Sequence, residues 1–323
     1  MSGTDRTNQG GFTRAAKDCL SGTAGGIVQV FVGQPFDTIK VRLQTQQVPK
    51  PGEQPQYAGM LDCVRQTRKE GLTAFYKGTT TPLVGVGVCV SIQFLVFEFM
   101  KRLFNGRNGY SGMLSSSQLY LSGAAAGVAG AFVFCPVEHI RTRLQVQTTP
   151  LTIISSNASN ASNGKTQNKK YNGPIDCFKK IYSLHGIQGI YKGMFITTIR
   201  EFHGGACYFL IYEYNMQRAM LKEKKSRREL PSWKPCLYGA AAGYGMWCSI
   251  YPIDVIKSKI QTDCFLKEKR KYSSAFDCAK QTFAKEGIKG FFRGFGPCML
   301  RAGPVNASSF VAFEMAMQLF EKI

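Results

Sequence analysis

The sequence predicts an all-α membrane protein with six transmembrane helices arranged as three homologous repeats. Three observations predict it. A ten-residue charged pattern occurs three times along the chain, and an apolar, glycine-rich run leads into each copy. After a short amphipathic stretch, a second apolar segment of about 20 residues follows each copy, long enough to cross a hydrocarbon core.

The pattern reads PFDTIKVRLQ at 35–44, PVEHIRTRLQ at 136–145 and PIDVIKSKIQ at 252–261. The three prolines stand about 100 and 115 residues apart, the signature of an internal repeat. Proline inside an apolar run kinks a membrane helix rather than ending it when neighbours satisfy the freed carbonyl. Just past each proline, an acid and a base three residues apart lie on one helical face: Asp37 and Lys40, Glu138 and Arg141, Asp254 and Lys257. One alternative is a local surface ion pair within each helix, which is worth little. The threefold recurrence points instead to three kinked helices in a ring that brings the acids and bases together as a gate.

Composition narrows the class without fixing it. Of 323 residues, 44% are hydrophobic, and the formal net charge is +21. The mean hydropathy of −0.13 is low for a membrane protein. Such a charge calls for an anionic partner: nucleic acid, or an anionic membrane surface and anionic solutes. Nucleic-acid binding would cluster the bases with aromatics on one face. Here they recur at repeat-equivalent places, where anionic lipid such as cardiolipin and loop charge bias account for them, so no nucleic acid is expected. The 11 cysteines contain no C-x-x-C pair, and the three histidines are dispersed, so neither a disulfide framework nor a metal site is expected. Cys63, Cys177 and Cys278 each follow an aspartate at equivalent places and belong to the repeat. There is no nucleophile elbow and no phosphate loop, so no cofactor and no enzymatic activity are expected.

In order, a polar N-terminus (1–13) precedes repeats at 14–105, 115–220 and 232–322. A helix over 16–46 is broken at Pro35, and Gly22 and Gly26 form a small-residue face for close helix approach. The spacing returns as Gly123 and Gly127 and as Gly239 and Gly243. Short amphipathic helices follow Tyr57, Tyr171 and Tyr272 and are too polar to span, so they should lie at the membrane surface. A second signature comes next, EGLTAFYKG at 70–78 and EGIKGFFRG at 286–294, with His185 replacing glutamate in the middle copy, 185–193. The second spans cover 81–104, 195–217 and 296–320, which puts both termini on one side. An insertion at 148–170, rich in Ser, Asn and Lys, is unique to the middle repeat and reads as a disordered loop.

Three copies of Px[DE]xx[KR]x[KR]xxQ, with the second signature, resemble the mitochondrial carrier family over nearly the whole chain. Stretches such as GGIVQV at 25–30, GQPFDT at 33–38 and LRAGPVNA at 300–307 look most like its fungal Ymc-type branch, near the carnitine/acylcarnitine carriers. The resemblance implies a six-helix, pseudo-threefold barrel in the inner membrane, monomeric, exchanging small solutes by alternating access. It implies that Asp37, Glu138 and Asp254 pair with Lys40, Arg141 and Lys257 across repeats, closing the matrix end. Gln44, Gln145 and Gln261 would brace those pairs.

The resemblance also implies a cytosolic gate, [FY][DE]xx[KR], late in each second span. Glu98 and Lys101 fit it, while Glu213 and Glu314 keep the acid but have methionine in place of the base. One cation for three acids makes this the weaker gate and biases the empty carrier toward a cytosol-open state. Thirteen residues before these glutamates stand Gly85, Arg200 and Arg301. That run of helix rises about 20 Å, to mid-membrane. Arginine there is expensive and usually functional, snorkelling or a structural pair being the alternative. With Glu201 beside Arg200, the site suits a zwitterion: carboxylate on arginine, ammonium on Glu201. His203, Gln93, Asn306 and Trp247 are further candidates for the cavity wall. The expected cargo is an amino acid or related organic acid, glutamate-like first. The alternatives are carnitine or acylcarnitine exchange and a basic, ornithine-type substrate, the latter disfavoured by Cys89 where an acid is expected.

Overall fold

The computed structural model describes residues 5–46, 49, 54–107, 114–147, 171–224, 229–231, 233–266, 268 and 270–321, so the insertion at 148–170 lies outside the described residues. Among the described residues the chain is helical throughout: α1 Asp5–Thr45, α2 Met60–Lys69, α3 Thr80–Arg107, α4 Ser116–Val146, α5 Pro174–Ile190, α6 Met194–Glu223, α7 Trp233–Thr262, α8 Ala275–Glu286 and α9 Phe295–Glu321. Each repeat is thus a long proline-containing helix, a short helix and a second long helix. Pro35, Pro136 and Pro252 sit inside α1, α4 and α7, which continue past them. Two features differ from the sequence reading: α1 begins at Asp5, well ahead of residue 16, and α9 carries an internal proline, Pro304.

The second signature is a turn built on glycine. Gly71 and Gly287 end α2 and α8 at φ 108° and 61°, Gly186 breaks α5 at the equivalent place at 62°, and Gly78, Gly193 and Gly294 enter the next long helix at 80°, 81° and 80°. Side chains rarely tolerate that region, so the chain reverses only at glycine. The later glycines also pack on the next repeat in cyclic order. A Cβ at Gly78 would meet the Arg141 carbonyl at 3.3 Å, one at Gly193 the Gln261 side chain at 3.1 Å, and one at Gly294 the Lys40 carbonyl at 2.8 Å. Those contacts carry the threefold symmetry into the packing.

Below them lie three equivalent apolar clusters, where the end of a proline helix meets a short helix. Ile39, Leu43, Tyr57 and Cys63 form one; Ile140, Leu144, Cys177 and Ile181 the second; Ile196, Ile256 and Cys278 the third. The three repeat cysteines are fully buried there, and burial raises each thiol: Cys63 to about 11, Cys177 and Cys278 to about 12. They are packing groups, not reactive thiols.

Along the long helices the pattern is inverted, with large apolar side chains facing outward. Leu95, Phe99, Phe132, Phe195, Leu300 and Met315 are all exposed, an outer surface suited to lipid. By length and apolar composition, Leu72–Asn105 and Ser116–Val146 pass as membrane spans among the described residues, with mean hydropathies of 2.1 and 1.6.

Helices α3, α4, α6 and α7 pack side by side in that order, and α9 packs along α1, with thin seams between α1 and α3 and between α7 and α9. Among the described residues, the GxxxG expectation holds in the middle repeat. Gly123 and Gly127 press on the backbone of Gly205 and Glu201, leaving no room for a Cβ. Gly26 and Gly243 have nothing within 4 Å, and Gly239 meets only the Tyr208 hydroxyl at 4.0 Å. Close approach needs a small residue on both partners, and α6 supplies it with Gly205.

Candidate functional site: a charged ring beneath a cavity

The acids and bases that follow the three prolines converge on one place. Arg141 bonds Asp37 at 2.6 Å, Lys40 meets Asp254 at 2.7 Å, and Lys257 bonds Glu138. Every pair runs between repeats: α1 to α4, α4 to α7, α7 to α1. Each proline helix gives its acid to one neighbour and its base to the other, so the three pairs form a closed ring. The Lys40–Asp254 pair is well desolvated, its side chains 9% and 8% exposed. Lys40 also sits 4.0 Å above the Trp247 ring, a cation–π contact.

Of the expected braces, Gln44 reaches a ring pair, donating to Asp254 Oδ2 at 3.0 Å. Gln261 instead donates to Thr197 at 3.4 Å, and the Gln145 amide nitrogen is buried without a hydrogen-bond partner among the described residues. The glutamine position recurs, but the group facing it differs in each repeat.

Directly on the ring stand the residues of the helix ruler. The Arg200 guanidinium donates to Glu138 at 2.9 Å, bonds Glu201, and lies 3.7 Å from Asp254. Arg301 Nε is 3.2 Å from Asp37. Gly33 leaves space for it, since a Cβ there would stand 2.9 Å from the same nitrogen. At Gly85 the absent side chain admits Val137, next to Glu138. The three ruler positions therefore share one level, and both arginines are held by ring acids. Counting Glu201, the cluster sets five cations (Lys40, Arg141, Lys257, Arg200, Arg301) against four acids. One unit of positive charge is left over for an anionic group.

A cavity opens on this cluster. Its deep part, about 410 Å³, is lined by Asp37, Glu138, Arg200, Glu201, Trp247 and Arg301. A wider part of about 760 Å³ shares Trp247 and Arg301 with it and runs to Glu98 and Glu213 at the far end. The ring closes one end, and the passage extends toward the other. Gln93, Trp247 and Asn306 line these spaces, whereas His203 is turned away, with Nδ1 3.2 Å from the Tyr120 hydroxyl between α4 and α6. At the far end Lys101 contacts Glu98 at 3.1 Å and Glu213 at 3.9 Å. The side chain of Glu314 lies outside the described residues.

A second charged layer, beyond the ring, was missed at the level of sequence. Arg42 grips Glu70 through two bonds of 2.6 and 2.9 Å, and Lys259 and Arg293 each meet Glu286 at 2.8 Å. Burial would raise the Glu70 carboxyl, but hydrogen bonds and charge from Arg42 outweigh it and hold it below the ordinary range. The signal was present: the second base of each motif and the glutamate of the second signature recur together. In the middle repeat His185 stands for that glutamate, and the arrangement changes. Arg143 and Lys192 donate to the Asp263 carbonyl at 2.8 and 2.6 Å, and both lie over the Phe265 ring, on which His185 stacks at 4.2 Å.

The description "Mitochondrial carrier protein" matches the chain three times, at residues 13–108, 112–224 and 228–323. Among similar proteins, the glutamate/glycine mitochondrial carrier ymc1 of Schizosaccharomyces pombe is 47% identical over 96% of both chains. The mitochondrial glycine transporter YMC1 of Saccharomyces cerevisiae is 44% identical over 95% of this chain and 92% of its own. The human mitochondrial carnitine/acylcarnitine carrier protein is 36% identical over 94% and 93%. The chain therefore belongs to the mitochondrial carrier family: it is a multi-pass transporter of small solutes in the inner mitochondrial membrane, and not an enzyme.

Proposed function

We propose that this carrier moves a small amino acid, glutamate or glycine foremost, by alternating access between the charged ring at the matrix end and the Glu98–Lys101–Glu213 group at the cytosolic end. The observation that carries this reading is the cluster of Arg200, Glu201 and Arg301 at the floor of the cavity, on top of the ring. A zwitterion satisfies it with opposite ends: its carboxylate takes the guanidinium groups, and its ammonium takes Glu201. The excess of one cation favours a solute with at least one carboxylate. The similarity to proteins named for glutamate and glycine supports the same cargo class.

Carnitine exchange fits less well. A trimethylammonium group is best held on an aromatic face, and the Trp247 face is taken by Lys40. A basic amino acid would need another acid, and Cys89 is fully buried. The ring opens only when its pairs separate, and breaking a buried pair by removing one partner costs about 3–5 kcal/mol. Solute binding must supply part of that difference. Exchange of labelled glutamate, glycine and carnitine by protein reconstituted in liposomes tests the reading. Arg200→Ala and Arg301→Ala should each abolish amino-acid exchange while thermal unfolding in detergent remains cooperative. Wild-type rates in either variant would remove the assignment.

A further inference from the structure

Gln93 comes from α3, which gives no charged group to the floor of the cavity, yet its side chain reaches the one acid there that stands outside the ring. Gln93 Nε2 donates to Glu201 Oε2 at 3.4 Å, while Arg200 donates to Glu201 Oε1. The two carboxylate oxygens are thus held separately, one by the neighbouring arginine and one by an amide from another helix. To get there, Gln93 crosses α4 at Gly130, where a Cβ would stand 3.0 Å from Gln93 Cγ and Nε2. On the same face of α4, Gly127 meets the backbone carbonyl of Glu201 with no room for a Cβ. One glycine admits the Glu201 backbone; the other admits the amide that reaches its carboxylate.

We propose that Gln93 is a specificity-determining residue of the solute site, fixing the Glu201 carboxylate and completing an acceptor set for an ammonium that carries N–H groups. This deepens, and rests on, the reading of Arg200 and Glu201 as the zwitterion site. An amide that uses its N–H on Glu201 keeps its oxygen as an acceptor beside the carboxylate. A primary ammonium has three N–H donors to satisfy and finds both. An ammonium with three methyl groups has none to give, and entering the site strips water from both acceptors without replacing it. A site built to hydrogen-bond a group rejects the analogue lacking it far more strongly than an apolar pocket could.

The test is exchange by the full-length protein in liposomes, with glycine, glutamate and N,N,N-trimethylglycine as solutes. Gln93→Met, which keeps the length and loses both polar atoms, should raise the KM for glycine about tenfold, the loss of one hydrogen bond to a charged group. The maximal rate should hold, and the preference for glycine over its trimethyl analogue should narrow by the same factor. Gly130→Ala should raise KM in the same way by pushing Gln93 off Glu201, and should add nothing in a Gln93→Ala background. A wild-type glycine KM in Gln93→Met overturns the assignment, as does a Gly130→Ala effect of equal size with or without Gln93. Glu201→Gln separates this inference from the one beneath it. If that variant exchanges normally, or if wild type exchanges no amino acid, the solute site itself falls and Gln93 with it. If Glu201→Gln fails while Gln93→Met is normal, only the role of Gln93 falls.

Discussion

Glu138 holds two cations of the cluster, Lys257 and Arg200. Glu138→Gln keeps the shape and removes the charge. Lys257, its side chain 4% exposed, would be left as a buried cation without its acid. Arg200 would keep Glu201 and the more distant Asp254. Stranding one partner of a buried pair costs about 3–5 kcal/mol. Arg200 is largely compensated, so the lower end applies, and about 3 kcal/mol shifts the balance between ring-closed and ring-open states by about two orders of magnitude. The assay is labelling of Cys236, which is exposed and lines the wide cavity, by a membrane-impermeant thiol reagent. The exposed Cys248 is first replaced by serine. Glu138→Gln should slow Cys236 labelling at least severalfold and depress exchange, and the swap Glu138→Lys with Lys257→Glu should recover part of both. Labelling and exchange at wild-type rates in Glu138→Gln would refute the claim that these pairs hold the ring shut.

Two further outcomes follow from packing and from charge outside the membrane. Gly127→Ala should lower the thermal midpoint by several degrees, because its Cβ collides with the Glu201 carbonyl, whereas Gly26→Ala, in open space, should leave it unchanged or slightly raised; equal effects would remove the contrast drawn between the two motifs. At the matrix-side turn, burial, aided by the charge of Arg143, lowers the Lys192 ammonium from 10.5 to about 8. The unfolded chain then binds more protons than the folded one between about pH 8 and 10.5, so this group's contribution to stability rises with pH across that window. The buried thiols act oppositely only above their ordinary 9.0. Between pH 7.5 and 9 the midpoint of wild type should therefore climb relative to Lys192→Met, and parallel profiles would sink the argument.

The charged motif was legible because it encodes a position on a helix, and three equal positions on three equal helices can meet only at one centre. The ruler counted from Glu98, Glu213 and Glu314 rests on a similar property: helical rise is fixed, so a count of residues is a distance. What the sequence concealed depends on the partner surface. Gln44, Gln145 and Gln261 are equivalent by count, yet among the described residues Gln44 donates to Asp254 and Gln261 to Thr197. Gly26 and Gly127 are equivalent too, but Gly127 presses on the Glu201 backbone across the interface while Gly26 has nothing within 4 Å. His203 gave no hint of its direction; one residue of helix rotates a side chain by about a quarter turn, which takes it from the cavity to Tyr120.

The sharing of acids between ring and solute site is what lets a small solute move a large gate in the proposed cycle. A ligand that binds both states equally shifts nothing, however tightly it binds. With the ring closed, Arg200 is engaged by Glu138, Glu201 and Asp254, and Arg301 by Asp37, so an arriving carboxylate must displace ring acids. Arg200 stands on α6, which packs along α4, and Arg301 on α9, which packs along α1, so each arginine stays with the helix that carries its acid, whereas the ring pairs bridge different repeats. In the proposed cycle a solute carboxylate that draws Arg200 and Arg301 toward itself changes the charge facing Glu138 and Asp37, the acids that the ring bases also hold. The solute must then bind one state of the ring better than the other, and that difference in affinity drives the equilibrium. An anion too small to engage both arginines together would sit in the cavity and leave the ring closed.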